Sequence, residues 1–334
     1  LHSGTLPTVH RVGASGYTDR LPETVDLLQE RLREAGWRTG SFSASPLGSS
    51  LSGLDRGFSL AVLPRHWDIG ALRHPAAGQV YESFLAWLDE EPDRPSFAYL
   101  HTLEPHQWHV AELYGEDGDR AQYRRSVQDA DRALGGLMVE LRRRDRGGLL
   151  LGLLSDHGEA FDEHGLTGHG SSLYEEQIAI PMLVWGEGVR PGRVEAPASL
   201  VDMAPTLLEL LHLPALDGDG VSLLSGVDGQ PARPTATAHL LRGIFEPLPE
   251  QHCVVDGGQN KLLRSEEGEV AFELAVDPSE LRPRLPSETL RALMDQELAE
   301  QQRSRSDFVG EHSQTRGSAD SQDIEALRAL GYVE

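Results

Sequence analysis

Residues 148–176 read GLLLGLLSDHGEAFDEHGLTGHGSSLYEE. The apolar run at 148–154 is bounded by glycine and predicts a buried strand. Side chains just beyond the carboxyl end of such a strand face the crevice where α/β proteins bind ligands. Asp156 and His157 stand at that position, and Gly158 allows the backbone to approach closely. A carboxylate oxygen and a neutral imidazole at one tight corner can share a divalent cation.

The same triplet is also typical of a simple turn, in which aspartate caps and glycine supplies a positive φ. The distribution of histidine favours a site instead. Six of the 14 histidines fall in two segments, each of which begins at the end of a predicted strand. These residues are His101, His106, His109, His157, His164 and His169.

Composition restricts the class of protein. With 334 residues, 39% of them hydrophobic, the chain is long enough for one large α/β domain and a smaller appendage. The net charge of −23 argues against binding nucleic acid or an anionic membrane surface. Lys261 is the single lysine, so positive charge at a site must come from arginine, histidine or metal. Cys253, the single cysteine, excludes an internal disulfide and a cysteine-based zinc site.

Predicted helices and strands alternate along the first part of the chain, which indicates an α/β fold with a mixed, mostly parallel sheet. No run approaches the roughly 20 apolar residues that a membrane span requires. A soluble protein is therefore expected, either cytoplasmic, periplasmic or secreted. The predicted helices are 21–36, 79–89, 119–144 and 199–211, and the predicted strands are 37–42, 96–101, 148–154 and 181–185.

Three regions are expected. Residues 1–230 form the α/β core, and residues 231–300 form a small C-terminal α+β subdomain, because short strands and turns follow one another there as in an antiparallel meander. Residues 301–334 form a flexible linker and a short terminal helix, because the segment is polar until its last amphipathic stretch.

Several motifs in order along the chain resemble those of the sulfatases, a family of the alkaline-phosphatase-like superfamily that also includes phosphonate and phosphodiester hydrolases. No single motif identifies the family, but the order of the motifs along the chain does. They are LHSGTLPTVHRV (1–12), LQERLREAGWRTGSF (28–42), GLDRGFS (53–59), FAYLHTLEPHQ (97–107), SDHGEAFDEHGLTGHGSSLYEEQIAIPMLVWG (155–186), VDMAPTLLELLHLP (201–214) and ELAVDPSELRPRL (273–285).

The resemblance implies an alkaline-phosphatase-like fold and a role for individual residues. Asp156 and His157 would ligate a divalent cation, Ca²⁺ in most sulfatases and Mn²⁺ or another divalent metal in some relatives. His106 would contact substrate oxygens. His169 stands where many relatives have a lysine that assists the leaving group, and an imidazolium can serve there. His101 would bind substrate or support the site from beneath.

The same resemblance implies that a nucleophile and further acidic metal ligands precede residue 1. The 1–230 core would then lack its N-terminal strand and nucleophile segment, and this fragment alone would be inactive. Two bound ligands leave a hard cation under-ligated, since it prefers about six. Within the chain, Ser3 and Thr5 carry hydroxyls but follow the expected position of the nucleophile.

The activity implied is hydrolysis of a small anionic substrate by in-line displacement at sulfur, as in a sulfuric ester hydrolase. A phosphodiesterase or phosphonate monoester hydrolase on the same fold is the first alternative. A non-catalytic relative that binds an anion or glycan is the second, and a structural zinc protein is the third. His109, His164 and Glu163 are interpreted as peripheral or structural. Glu159 is interpreted as either pinning the turn or touching substrate.

Overall fold

The structure of the protein, a computed structural model, describes residues 1–12, 19–45, 52–63, 76–109, 118–144, 147–228, 232–241, 248–311, 315–316 and 324. The chain divides into two compact units. One consists of Leu1–Leu28 with Leu149–Thr315, and the other consists of Gln29–Gly148 with Arg316–Glu334.

Helices and strands of the described residues are numbered in chain order. The helices are α1 Pro7–His10, α2 Leu28–Glu34, α3 Ala77–Glu90, α4 Asp119–Arg144, α5 Glu175–Ile178, α6 Met203–Leu210 and α7 Glu288–Glu311. The strands are β1 Asp19–Arg20, β2 Arg38–Ser43, β3 Leu60–Val62, β4 Ser96–His101, β5 Leu150–Leu154, β6 Ala160–Phe161, β7 Thr167–Gly168, β8 Met182–Gly186, β9 Thr235–Leu240, β10 Gln251–Asp256, β11 Asn260–Ser265, β12 Gly268–Glu273 and β13 Thr315–Arg316. Short 3₁₀ turns are Pro105–Gln107, Glu163–Gly165, Leu200–Asp202 and Leu224–Asp228.

The unit of residues 29–148 contains a parallel sheet in the order β3-β2-β4. All six residues of β2 are buried, because this strand pairs on both edges and is covered by α3. The apolar residues of α3 recur at helical spacing, so Phe84 and Trp87 lie on one face. Their rings meet Phe42 edge-on at 5.8 and 5.7 Å. This aromatic cluster is the centre of the unit's core, to which Leu137 of α4 also contributes.

The other unit contains an antiparallel sheet in the order β12-β11-β10-β9. Helix α7 packs on this sheet, with Leu290 and Met294 buried against Val254 and Leu262. The meander predicted for the C-terminal part of the chain is therefore confirmed. The division of the chain at residue 230 stays a prediction.

In the same unit, β5 and β8 form an antiparallel pair, Leu150 opposite Gly186 and Leu154 opposite Met182. The predicted strand at 148–154 thus exists, but it is half-buried and Gly152 is exposed. Together with the parallel sheet and the covering helices, this pair gives the mixed α/β class that the sequence predicts. No helix among the described residues is both long and apolar enough to cross a membrane.

Two sequence predictions are wrong in detail. Residues 21–27 do not continue the helix that begins at Leu28; Val25 donates its N–H to Pro22 O in a turn. A flexible linker was expected from residue 301, but α7 continues through Glu311. Phe308 is buried within the last turns of this helix. The predicted terminal helix lies outside the described residues, apart from Ile324.

Candidate active site

The end of β5 turns sharply through Ser155. Its N–H donates to Pro181 O at 3.3 Å and its hydroxyl donates to His157 O at 2.6 Å. A serine hydroxyl that bonds to a nearby backbone group stabilises a turn of this kind. The turn places Asp156 and His157 at the tip of the strand, as the sequence predicts.

Asp156 and His157 present an oxygen and a nitrogen to the same side of the corner. The Asp156 side chain is 70% exposed, and its Oδ2 lies 3.8 Å from His157 Nε2. His157 Nδ1 lies 2.8 Å from Gly158 O. Because a carbonyl oxygen can only accept, Nδ1 carries a proton, and in the neutral imidazole Nε2 then carries the lone pair. A carboxylate and an imidazole lone pair this close fit the donor set that a divalent cation uses.

Gly158 is required by packing. A Cβ at this position would lie 2.2 Å from Glu176 O. Its N–H donates to Gln177 O at 2.8 Å. The close backbone approach predicted for this glycine is therefore confirmed, and it ties the corner to helix α5.

A short hairpin returns the chain to this corner. Strands β6 and β7 pair with Ala160 opposite Gly168, so the next residues outward, Glu159 and His169, face each other. Glu159 Oε2 lies 3.2 Å from His169 Nδ1, and the Glu159 side chain is only 6% exposed. The His169 ring stacks on that of His157, with centroids 3.9 Å apart and planes at 27°. The hairpin therefore brings Glu159 and His169 together and orients the His169 ring.

His106 and His101 belong to the unit of residues 29–148. His106 lies in the 3₁₀ turn Pro105–Gln107, where its N–H donates to Leu103 O at 3.0 Å. His101 is the last residue of β4, with Nδ1 3.2 Å from Ser43 Oγ. Three of the five predicted site residues thus lie together in one unit, and the roles of all five stay predictions.

His164 has the structural role expected of it. Its Nδ1 lies 2.8 Å from Glu176 Oε1 and its Nε2 lies 3.2 Å from Glu280 O, so both ring nitrogens face acceptors. Its ring stacks on Tyr174 at 3.7 Å. Burial lowers the pKa of His164, but the bonds to Glu176 and Glu280 outweigh it and hold the pKa above its usual value.

Lys261 anchors the start of helix α5. Its side chain is fully buried, and Nζ lies 2.8 Å from both Glu175 Oε1 and Glu280 Oε1. Burial lowers the pKa of Lys261, whereas the Cys253 thiol and the two carboxylates raise it, with the net result above its usual value. The single lysine of the chain is therefore a structural cation rather than a site residue.

Two residues near the site gained little weight from the sequence. The sequence pattern allows two roles for Glu159, and the hairpin register places its carboxylate beside His169 Nδ1. Gln177 was not singled out, although it contacts two segments of the site. A glutamine on a short helix has no sequence pattern that distinguishes it from a surface residue.

The family model described as Sulfatase matches residues 3–213, which is more than half of the chain. Choline-sulfatase from Rhizobium meliloti (strain 1021) is 28% identical over 210 residues, which cover 59% of this chain and 40% of the relative. Arylsulfatase K from Danio rerio is 26% identical over 220 residues, which cover 60% and 42%. The aligned regions span less than half the length of these curated relatives.

Among solved structures, the phosphonate monoester hydrolase of Agrobacterium radiobacter superposes with a TM-score of 0.65 at 19% identity. The alignment covers 92% of this chain and 85% of that chain. At this identity the likeness shows the fold alone, and it confirms the predicted fold class.

Proposed function

Because this chain belongs to the sulfatase family, we propose that it supplies metal- and substrate-binding residues of a hydrolase of sulfate esters. The observation that carries the proposal is the corner at the end of β5. An exposed carboxylate, an imidazole lone pair and a second imidazole held by a buried glutamate all meet there. Exposed oxygen and nitrogen ligand atoms beside an imidazole ring in a fixed orientation are useful for binding an anionic ester. A purely structural turn does not need them.

Asp156 and His157 would hold a divalent cation, most simply Ca²⁺, with Mn²⁺ or another divalent metal as the alternative. When bound, such a cation supplies positive charge that neutralises the anionic ester and polarises its oxygens. The Nδ1–H of His157 donates to Gly158 O, which keeps Nε2 available as a ligand. The remaining ligands are not among the residues that this corner provides.

His169 would assist departure of the alcohol or phenol. Glu159 holds its Nδ1 side at 3.2 Å, and Nε2 would donate a proton or a hydrogen bond to the leaving oxygen. His106, and His101 less directly, would contact the non-bridging oxygens of the substrate. These two roles are supported by the family resemblance of the FAYLHTLEPHQ motif.

The reaction would be an in-line displacement at sulfur. An attacking oxygen forms a bond to sulfur while the bond to the ester oxygen breaks, and the leaving oxygen takes its proton from His169. Charge builds on the equatorial and departing oxygens, so fixed positive groups supply most of the rate enhancement. The identity of the nucleophile stays a prediction from the resemblance.

Phosphodiesters and phosphonate monoesters are tetrahedral anions of similar size, so the same corner could act on phosphorus. A non-catalytic relative is less well supported, because such a protein would not need both the ligand pair and the oriented histidine. The sulfatase, the phosphorus hydrolase and the non-catalytic protein differ in the esters that each is expected to hydrolyse.

We expect the protein encoded by the complete reading frame to hydrolyse 4-nitrophenyl sulfate with a kcat/KM at least about 10-fold above that for 4-nitrophenyl phosphate, bis(4-nitrophenyl) phosphate or a 4-nitrophenyl phosphonate. The matched control is Asp156→Ala, which should lose turnover of every ester. Faster turnover of a phosphorus ester would establish the first alternative. Binding of sulfate esters without turnover of any ester would establish the non-catalytic one.

A further inference from the structure

Gln177 contacts both parts of the candidate active site. It lies on helix α5 and is 3% exposed. Its backbone carbonyl accepts the N–H of Gly158 at 2.8 Å. Gly158 directly follows His157, so this bond holds the corner that carries the proposed metal ligands.

The side chain of Gln177 holds a different segment. Its Oε1 accepts the N–H groups of Ser171 at 3.1 Å and Ser172 at 3.2 Å, and its Nε2 donates to Ser171 Oγ at 3.0 Å. Ser171 lies two residues after His169. The side chain of Gln177 therefore holds the segment that follows His169 in the chain.

Helix α5 is itself held firmly. The N–H of Glu175 donates to Glu280 Oε2 at 2.6 Å, and Lys261 bridges the carboxylates of these two residues. Glu176 pairs with His164. A helix of only four residues has little stability of its own, so these contacts are what keep Gln177 in place.

We propose that Gln177 is a positioning residue that sets the distance between the rings of His157 and His169 through two separable arms. The backbone arm holds the His157 corner, and the side-chain amide holds the His169 segment. Because the arms use different atoms, a change of side chain releases the second and leaves the first. The importance of this spacing for catalysis rests on the proposed function. The two sets of hydrogen bonds made by Gln177 do not depend on it.

The arms can be tested by amide hydrogen exchange in metal-free protein. Gln177→Met keeps the size of the side chain but removes the acceptor for the half-buried N–H of Ser171 and the buried N–H of Ser172. We expect the amides of Ser171 and Ser172 to exchange at least about 10-fold faster, with Gly158 unchanged. Unchanged exchange at the two serines, or an equal increase at all three amides, would overturn the proposal.

Gln301 offers a matched control. It is 6% exposed in the same unit, and its side chain accepts from Thr8 Oγ1 and donates to Thr237 Oγ1. Gln301→Met should leave all three amides unchanged. Gln177→Glu keeps acceptor oxygens and should retain protection at the two serines. Loss of that protection would overturn the proposal whether or not Gln177→Met folds.

A kinetic measurement separates positioning from general stability. In the complete enzyme, Gln177→Met should lower kcat for alkyl sulfates at least about 10-fold while changing the affinity for Mn²⁺ less than about 2-fold, because the His157 corner is intact. An equal loss of kcat and Mn²⁺ affinity would contradict separable arms. If the unsubstituted enzyme bound no cation, the proposed function would fail, and the exchange result would still decide the role of Gln177.

Discussion

Replacing His169 by alanine in the complete enzyme is expected to lower kcat for alkyl sulfates by about 100- to 1,000-fold and for 4-nitrophenyl sulfate by less than about 10-fold. A departing alkoxide needs a proton or a hydrogen bond, whereas a nitrophenolate is stable as an anion. Glu159 Oε2 lies 3.2 Å from His169 Nδ1 and orients the ring. Steady-state kinetics with a series of leaving groups measures the difference directly.

The matched control for this prediction is His164→Ala. His164 belongs to the same hairpin but is engaged by Glu176 and Tyr174. Its replacement should lower stability and change all substrates alike. An equal loss of kcat for alkyl and nitrophenyl esters in His169→Ala would show that His169 does not assist the leaving group.

Replacing Lys261 by methionine is expected to lower the free energy of unfolding by about 3–5 kcal/mol. Lys261 and Glu280 are both fully buried, so loss of the lysine leaves a carboxylate without its cation in a place that water does not reach. Urea unfolding followed by circular dichroism measures the change. The double variant Lys261→Met with Glu280→Gln should recover most of the loss, because both charges are removed together.

An ion pair on the surface serves as the comparison. Arg284 and Glu273 also lie 2.8 Å apart, but their side chains are 44% and 42% exposed. Arg284→Met should cost no more than about 1 kcal/mol. A loss for Lys261→Met as small as that would mean that the buried cluster does not anchor helix α5.

Much of the fold could be predicted because local patterns and tertiary contacts agree. Strand β4 and helix α4 have the predicted bounds, since a short apolar run and a long periodic run each favour one structure. The start of α2 was predicted too early. Val25 and Leu28 do have helical spacing and both are buried, but spacing of this kind reports burial rather than helix, and Val25 is buried in the segment before the helix begins at Leu28.

The length of α7 was missed for a related reason. Residues 304–311 are polar on average, and composition alone predicts a linker. The apolar side chain of Phe308 is nevertheless buried in this part of the helix. One contact of this kind is invisible to an average over the segment.

The site was predictable where the chain order defines it. Asp156 and His157 follow a strand, and that position alone indicates a ligand-binding corner. The roles of Glu159 and Gln177 depend on hairpin register and on packing of α5, which no local pattern specifies. The sequence therefore indicates the position of the candidate ligands Asp156 and His157 better than it indicates the residues that orient them, and the roles of both ligands stay predictions.

The proposed binding of a divalent cation by Asp156 and His157 is tested most directly by the metal content of the protein encoded by the complete reading frame. After dialysis with Ca²⁺ or Mn²⁺, elemental analysis should find about one ion per unsubstituted chain and a loss of at least about 10-fold in Asp156→Ala. Asp217→Ala, which changes an exposed aspartate of a turn, should retain the ion. Equal metal content in Asp156→Ala and the unsubstituted protein would contradict the site.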